Sequence, residues 1–198
     1  MNVFATETQP DDAGTTWRGF RLHRLDRAGT AAQAEARAFC LRVIAEVYGF
    51  AYRADWHTDL DSLLRADAAN HYAPSNLGAF WLLRDVTGVP AATIGLKRLS
   101  WQPALATALA DRYADLPTVP TLTRAYVRAD LRGRGLGAVL AGLAEAAARD
   151  FGDRVIYLHT NADAPAAQRF WHVQGWREFA RFGISAHFDK VLGPVVTR

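Results

Sequence analysis

The sequence predicts a single α/β domain with a flexible tail at its start. Half of the 198 residues are hydrophobic, which is enough to build a full core. Strand-like runs alternate along the chain with stretches whose apolar residues recur at helical spacing. A glycine-rich loop also joins a strand to a helix near residue 135. We therefore expect a tail over residues 1–15 and one domain over 16–198, since domains typically have about 100–200 residues.

The first half of the chain predicts a strand, two helices and a hairpin. Residues 16–25 alternate in polarity and predict one strand, while the apolar spacing over 30–50 predicts a helix. A second, short helix should begin at Thr58, which with Asp61 three residues later resembles a capping box. Two strand-like runs over 79–99 flank a turn rich in glycine and proline and predict a hairpin.

The second half predicts alternating strands and helices. In order, we expect a helical insertion over 104–116, a strand over 121–127, a helix from 136, a strand over 154–160, a helix over 164–174, and strands over 176–182 and 184–192. The helix from Leu136 has apolar residues at i, i+3, i+4 and i+7. Gly175 lies where a C-terminal cap belongs, and Trp176 follows as its hydrophobic contact.

Composition argues against several classes of protein. The first residues lack the apolar core of a signal peptide, and no apolar run approaches the roughly 18 residues of a membrane span. Cys40, the only cysteine, lies in an apolar run and predicts a buried structural thiol. The net charge is only +3, and the arginines between Arg18 and Arg27 recur every three residues, on both faces of a strand. We expect a cytoplasmic protein with no nucleic-acid or membrane partner.

A metal site is a weak alternative in the segment that begins the second helix. His57, Asp59 and Asp61 alternate there, and this spacing turns their side chains apart at a helix start. The capping box also uses Asp61. We therefore expect no metal.

The loop after the strand over 121–127 is the strongest functional signal. In "LRGRGLGAVL", glycines at 133, 135 and 137 alternate with arginines and precede a helix. Free N–H groups and the helix dipole at such a start favour an anion, very often a phosphate. The alternatives are a surface turn or a dinucleotide site, since "GRGLGA" fits G-x-G-x-x-A. The dinucleotide fold, however, should have an apolar strand before the loop and an acidic end to the next strand.

The loop and the segments after it resemble the GNAT superfamily of N-acetyltransferases. Residues 132–137 match the family's R/Q-x-x-G-x-G/A pyrophosphate loop, and "AAQRFWHVQGW" is similar to its A-x-x-F-Y-x-x-x-G-F helix and turn. The resemblance covers residues 16–192 and is specific over 121–179. It implies a mixed, mostly antiparallel sheet of six to seven strands flanked by helices, with the family's strands 4 and 5 splayed apart around acetyl-CoA.

The resemblance also implies a cofactor site, residue by residue. It gives backbone N–H groups for the pyrophosphate from Arg132, Gly133, Arg134, Gly135, Leu136, Gly137 and Ala138, amides for the pantetheine arm from Ala125, Tyr126 and Val127, and Asn161, Phe170 and Trp171 near the sulfur. The amide nearest Ala125 would stabilise the oxyanion as an amine attacks the thioester directly.

The sequence departs from the family where protons are handled. Many members have a Glu on strand 4 and a Tyr after the helix Phe, where this chain has Thr121 and Trp171. Tyr126 and His159 are the preferred substitutes, ahead of His172, although each could be structural.

We therefore expect transfer of acetyl from acetyl-CoA to a primary amine of a small molecule or peptide. The alternative is a catalytically weak module that senses acyl-CoA or acts as a scaffold. Tyr48, Tyr52, Trp56 and His57 are candidates to face the acceptor, and a homodimer is possible since many members form one.

Overall fold

The computed structural model describes residues 15–25, 31–116 and 118–193. The strands are β1 (Thr15–Trp17), β2 (Phe20–Arg24), β3 (Ala79–Arg84), β4 (Pro90–Arg98), β5 (Pro120–Val127), β6 (Val155–Asn161), β7 (Arg177–Phe182) and β8 (Ser185–Val191). The helices are α1 (Ala31–Tyr48), α2 (Thr58–Ser62), α3 (Pro103–Ala108), α4 (Leu136–Asp150) and α5 (Pro165–Val173). Residues 1–14 of the expected tail lie outside the described residues, so that expectation stays a prediction.

One mixed sheet contains all eight strands, in the order β1-β2-β3-β4-β5-β6-β8-β7. Every neighbouring pair is antiparallel except β5 and β6, which are parallel. The α/β class and the mostly antiparallel sheet are confirmed. The strand count of six to seven was too low, because the strand expected over 16–25 is a hairpin. Arg18 and Gly19 both have positive φ (46° and 84°), as a tight hairpin turn requires.

The two faces of the sheet carry different helices. On one face α4 and α5 pack against strand residues such as Ile94 and Leu158 in the largest hydrophobic cluster. On the other face α1 and α2 pack against Phe80 and Leu82 in a second cluster. Cys40 of α1 is fully buried there, and burial raises the pKa of its thiol to about 12, so the expected structural thiol is confirmed.

The two predicted helix ends behave differently. After α5, the Trp176 N–H donates to the Trp171 carbonyl and the Gly175 N–H to the His172 carbonyl, with φ +82° at Gly175. This is the Schellman cap that the sequence predicted. The capping box at Thr58 was wrong: His57 holds the N-cap position of α2, and no side chain caps the helix.

Within the described part of the chain, no helix is long and apolar enough to span a membrane.

Candidate active site

A gap opens in the sheet between β5 and β6. The two strands pair through a single register position, Thr121 with Tyr157. Beyond it, β5 continues beside β4 to Val127, and β6 continues beside β8 to Asn161. Within the described residues no later position of β5 pairs with β6, so the facing strand edges diverge from this point. Unpaired strand edges are hydrogen-bonding surfaces, and a ligand can use them.

A β-bulge shapes the β5 side of this gap. Thr93 of β4 pairs with Tyr126 and Gly95 with Thr123, so two residues, Arg124 and Ala125, oppose one residue of β4. The extra residue inverts the side-chain alternation along β5. Arg124 takes the strained left-handed conformation, with φ +52°, and its carbonyl accepts a 3.0 Å hydrogen bond from the Thr93 hydroxyl.

A buried ion pair holds the bulge against α2. Arg124 donates two hydrogen bonds to the carboxylate of Asp59, at 2.8 and 2.5 Å, and a third to the Trp56 carbonyl at 3.0 Å. The Tyr72 hydroxyl donates to the same carboxylate at 2.5 Å. Burial alone would raise the pKa of Asp59, but the hydrogen bonds and charge of Arg124 hold it well below its usual value. The network therefore fixes the backbone that borders the gap.

The glycine loop lies at the start of α4, next to the end of β5. Gly133 and Gly135 have φ of +77° and +83°, and a Cβ at either would meet no atom within 4 Å. The glycines are therefore required by the backbone conformation, and the space above them is open. Gly135 is the N-cap residue of α4, and the helix has no side-chain cap and no acidic residue in its first turn. The amides of residues 136–138 consequently remain available to an anion, and this geometry fits a pyrophosphate.

The third glycine of the loop serves a different purpose. A Cβ at Gly137 would lie 3.1 Å from the ring of Phe170, so the missing side chain lets α5 approach α4. Asn161 lies at the end of β6, where its side-chain oxygen accepts the Asp163 N–H at 2.8 Å and shapes the turn into α5. Asn161 therefore lies at the β6 end of the gap, and Phe170 lies against the glycine loop. Their role toward a cofactor stays a prediction.

The two positions that depart from the family pattern are buried. Thr121 is fully buried, and its hydroxyl has no hydrogen-bond partner within the described structure. Trp171 is 6% exposed and packs edge-to-face against Phe170 and Trp176, at ring distances of 4.8 and 5.4 Å. Packing accounts for the burial of Trp171, and its predicted role near the sulfur stays a prediction.

His159 and Tyr126, the predicted substitutes, are both near the gap. His159 lies on β6 with its side chain still open to solvent. Desolvation of the imidazole by the surrounding chain, and then the charges of His187, Lys97 and Arg124, lower the pKa of His159 to about 4. Tyr126 packs against the cluster under α1, and burial raises the pKa of its hydroxyl. His159 is therefore a neutral imidazole at neutral pH, and Tyr126 is a neutral phenol.

The predicted acceptor wall is partly exposed. Tyr48, Tyr52 and Trp56 are 41–47% exposed, and the Trp56 carbonyl accepts a hydrogen bond from Arg124. His57 is 1% exposed, and its ring nitrogen accepts the Arg53 N–H at 2.9 Å. His57 therefore belongs to the interior and does not face an acceptor.

The side chains weighed as metal ligands are bound to other residues. Asp61 accepts hydrogen bonds from Arg37 at 2.6 and 3.0 Å and from Tyr52 at 2.6 Å, while Asp59 binds Arg124. Among the described residues no group of three or more His, Cys, Asp or Glu side chains could hold a metal ion.

Sequence reasoning missed the Asp59–Arg124 pair and Lys97. Lys97 on β4 is 4% exposed and pairs in register with Thr121 at the point where the gap begins. The available signal was weak: charged residues stand inside two otherwise strand-like runs, two in "TIGLKRL" and one in "TLTRAYV". A charge that a strand buries needs a partner from elsewhere in the fold.

Comparison with known proteins agrees with this geometry. Residues 41–176 match the model of the acetyltransferase (GNAT) family. Among curated protein sequences no significant match is found.

Solved structures share the fold over most of the chain. A GNAT-family acetyltransferase from Staphylococcus aureus Mu50 is 19% identical, covers 88% of this chain and 99% of its own, and has a TM-score of 0.65. An acetyltransferase from Streptococcus agalactiae 2603 is 17% identical, with 89% and 100% covered and a TM-score of 0.64. The PaiA N-acetyltransferase from Thermoplasma acidophilum, in complex with coenzyme A, is 13% identical, with 86% and 98% covered and a TM-score of 0.59. At these identities the likeness establishes the fold.

Proposed function

The chain belongs to the GNAT acetyltransferase family, and on that premise we propose that it is an N-acetyltransferase. It would transfer the acetyl group of acetyl-CoA to a primary amine of a small molecule or a peptide. The observation that carries this proposal is the open gap between β5 and β6, which leads to the uncapped start of α4. An extended pantetheine arm fits the gap, and a pyrophosphate fits the helix start.

Each part of the site then has a task. The amides of residues 132–138 bind the pyrophosphate, and the edge of β5 over 125–127 binds the extended arm. The bulge at Ala125 offers a backbone N–H toward the thioester carbonyl, where it would stabilise the developing oxyanion. The bound acetyl-CoA supplies an activated thioester; the amine attacks its carbonyl carbon directly, the carbon–sulfur bond breaks, and CoA leaves as the thiolate without a covalent enzyme intermediate.

Proton handling falls to groups other than the family's Glu and Tyr. His159 is neutral above about pH 5, since its pKa is near 4, so it can accept a hydrogen bond from the attacking amine. A base of such low pKa removes protons poorly at neutral pH, so water or the acceptor itself takes the proton in this proposal. The Tyr126 phenol remains protonated and can donate a hydrogen bond.

A thermal-shift comparison of acetyl-CoA, CoA and NAD tests the donor site. At about a hundred times the dissociation constant, binding adds roughly 2.7 kcal/mol of stability, or about 5–10 °C for a chain of this size. We expect a rise with both CoA compounds and none with NAD. The absence of any rise with the CoA compounds would contradict the proposal, and a rise with NAD alone would favour a dinucleotide site.

A transfer assay tests the reaction itself. Free thiol released from acetyl-CoA is measured against a panel of primary amines, and the acetylated product is identified by mass spectrometry. We expect turnover with at least one amine. Tight CoA binding without turnover would favour the sensor or scaffold function instead.

The cellular compartment, the oligomeric state and the partners of the protein are also proposals. We place it in the cytoplasm because its single thiol is buried and needs no oxidising compartment. We propose a homodimer without nucleic-acid or membrane partners, as the family resemblance and the modest charge of +3 suggest. Size-exclusion chromatography with light scattering measures the assembly directly.

A further inference from the structure

A buried lysine without a counter-ion lies at the floor of the gap. Lys97 is 4% exposed, yet among the described residues no hydrogen bond or ion pair holds its ammonium group. The chain has only one other lysine, Lys190, and that one binds Glu145 at 2.7 and 2.8 Å. An unpaired ammonium is costly to bury, so the fold retains Lys97 at a loss of stability.

The position of Lys97 links it to the gap. Lys97, Thr121 and Tyr157 are register partners on β4, β5 and β6, so they form one row across the sheet. Paired residues in adjacent strands place their side chains on the same face. This row is the last one before β5 and β6 separate. Any group bound at it lies directly below the gap in which the thioester would sit.

Unsatisfied polar atoms accompany the lysine. The Thr121 hydroxyl is buried without a partner, and so is the Nδ1 atom of His71, whose ring stacks on Trp101 at 4.2 Å. Burial, and then the positive charge of Lys97, lower the pKa of His71 to about 4. His71 is therefore neutral at neutral pH. Buried polar atoms normally have partners, so this group of atoms points to a ligand.

The nearby negative charge is already used. Asp59 is the acidic residue whose charge acts on Lys97, but it accepts two hydrogen bonds from Arg124 and one from Tyr72. Lys97 and Arg124 together carry two positive charges against one negative charge. The surroundings of Lys97 therefore have an excess of one positive charge, at a buried position where solvent screens poorly.

We propose that Lys97 and Thr121 bind a carboxylate of the acceptor, so that the substrate is a primary amine that also carries a carboxylate several bonds from its nitrogen. This inference rests on the proposed acetyltransferase function and names its substrate class. One ammonium and one hydroxyl match the single charge and the oxygen acceptors of a carboxylate. A phosphate, with its larger charge, is typically bound by several cations or an arginine fork. Thr121 and the bulge at Ala125 are four residues apart on β5, or about 13 Å of extended strand, so the amine and the carboxylate of such a substrate are separated by several bonds.

Matched substrates test the proposal. 4-Aminobutanoate, 6-aminohexanoate and 8-aminooctanoate are compared with their carboxamides in the acetyl-CoA assay, by release of free thiol. We expect kcat/KM for at least one acid to exceed that of its carboxamide by about tenfold or more, mainly through KM, since hydrogen bonds to charged groups are strong. A second readout needs no turnover: the same acids should raise the melting temperature of the CoA-bound protein, and the carboxamides should not.

Variants test whether Lys97 and Thr121 cause the preference for the acid over the carboxamide. Lys97→Met should reduce the preference for the acid over the carboxamide to near unity, without lowering the melting temperature. Thr121→Val, which keeps the shape of the side chain, should reduce the preference by about threefold, as the loss of one modest hydrogen bond predicts. Arg42→Met is the matched control: it also removes one positive charge, but its side chain is 53% exposed on α1, so the preference should persist.

The outcomes separate this inference from the proposed function. Acetylation of amines with no preference for the acid, or a preference that survives in Lys97→Met and Thr121→Val, would overturn the carboxylate site and leave the acetyltransferase intact. If the panel yields no acid that either binds or reacts, the carboxylate site is likewise overturned. If acetyl-CoA itself fails to bind, the proposed function fails with it.

Discussion

The two sides of the gap are built from different parts of the chain. The proposed donor side is mostly backbone: two left-handed glycines, the free amides that begin α4, and the edge of β5. The proposed acceptor side consists of side chains from α2, β4, β5 and the segment before β3: Asp59, Arg124 and Tyr72 are joined by hydrogen bonds, and Lys97 lies nearby without one. A backbone site needs glycine and little else, whereas a side-chain site depends on each of its members.

The energetic consequences differ in the same way. On the donor side a substitution changes local strain and the space above the loop. On the acceptor side a single truncation leaves a buried charge without its partner. We therefore expect the largest stability losses around Arg124 and smaller ones around the glycine loop.

Arg124→Ala should have the largest effect. Removal of the guanidinium leaves the Asp59 carboxylate buried and unpaired, which should lower the free energy of unfolding by about 3–5 kcal/mol. Chemical denaturation monitored by circular dichroism measures this loss. The control Arg42→Ala, on an exposed face of α1, should change it by less than about 0.5 kcal/mol. Equal losses in the two variants would mean that the ion pair does not hold the bulge.

The contribution of the Asp59–Arg124 pair to the free energy of unfolding should depend on pH. The folded-state pKa of Asp59 lies below the ordinary value of 3.8, so its contribution to stability is present above that value and is lost as the pH falls toward the folded pKa. Asp59→Asn should cost about 3 kcal/mol at pH 7, and the difference from the wild type should narrow below about pH 4. A difference that stays constant down to pH 3 would contradict the lowered pKa.

Gly135→Ala tests the donor side. A residue with a Cβ in the left-handed conformation costs about 1–2 kcal/mol, and the distorted loop should also weaken CoA binding. Gly142, exposed on the same helix with ordinary φ and no atom within 4 Å of an added Cβ, is the matched control. Gly142→Ala should stabilise the protein by roughly 0.5–1 kcal/mol and leave CoA affinity unchanged. Calorimetric unfolding and titration with CoA measure both quantities.

His159 should contribute the smallest change to the pH profile. Because its pKa is near 4, it does not titrate between pH 6 and 9, and no inflection of kcat/KM in that range should come from it. The profiles of the wild type and His159→Gln should therefore be parallel there, even if their heights differ. An inflection near pH 6.5 that disappears in His159→Gln would contradict the lowered pKa of this imidazole.

Local signals explain why much of the fold was predictable. The 3.6-residue spacing of α4, the Schellman glycine after α5 and the glycine loop each depend on residues within a few positions of one another. The first hairpin was missed because Arg18, at positive φ, is not a residue type that marks a turn. The capping box failed because Thr58 and Asp61 have the right spacing but lie one position into the helix.

Sequence patterns were enough to predict the class of fold, the position of the glycine loop and the family, because backbone conformation at glycines and hydrophobic spacing are local properties. The other parts of the candidate site follow from tertiary packing. Asp59 and Arg124 are 65 positions apart, and Lys97 of β4 pairs in register with Thr121 of the adjacent strand β5. Which charge pairs with which, and which one remains unpaired, follows from how the chain packs α2 against the bulge of β5. No local pattern encodes that choice.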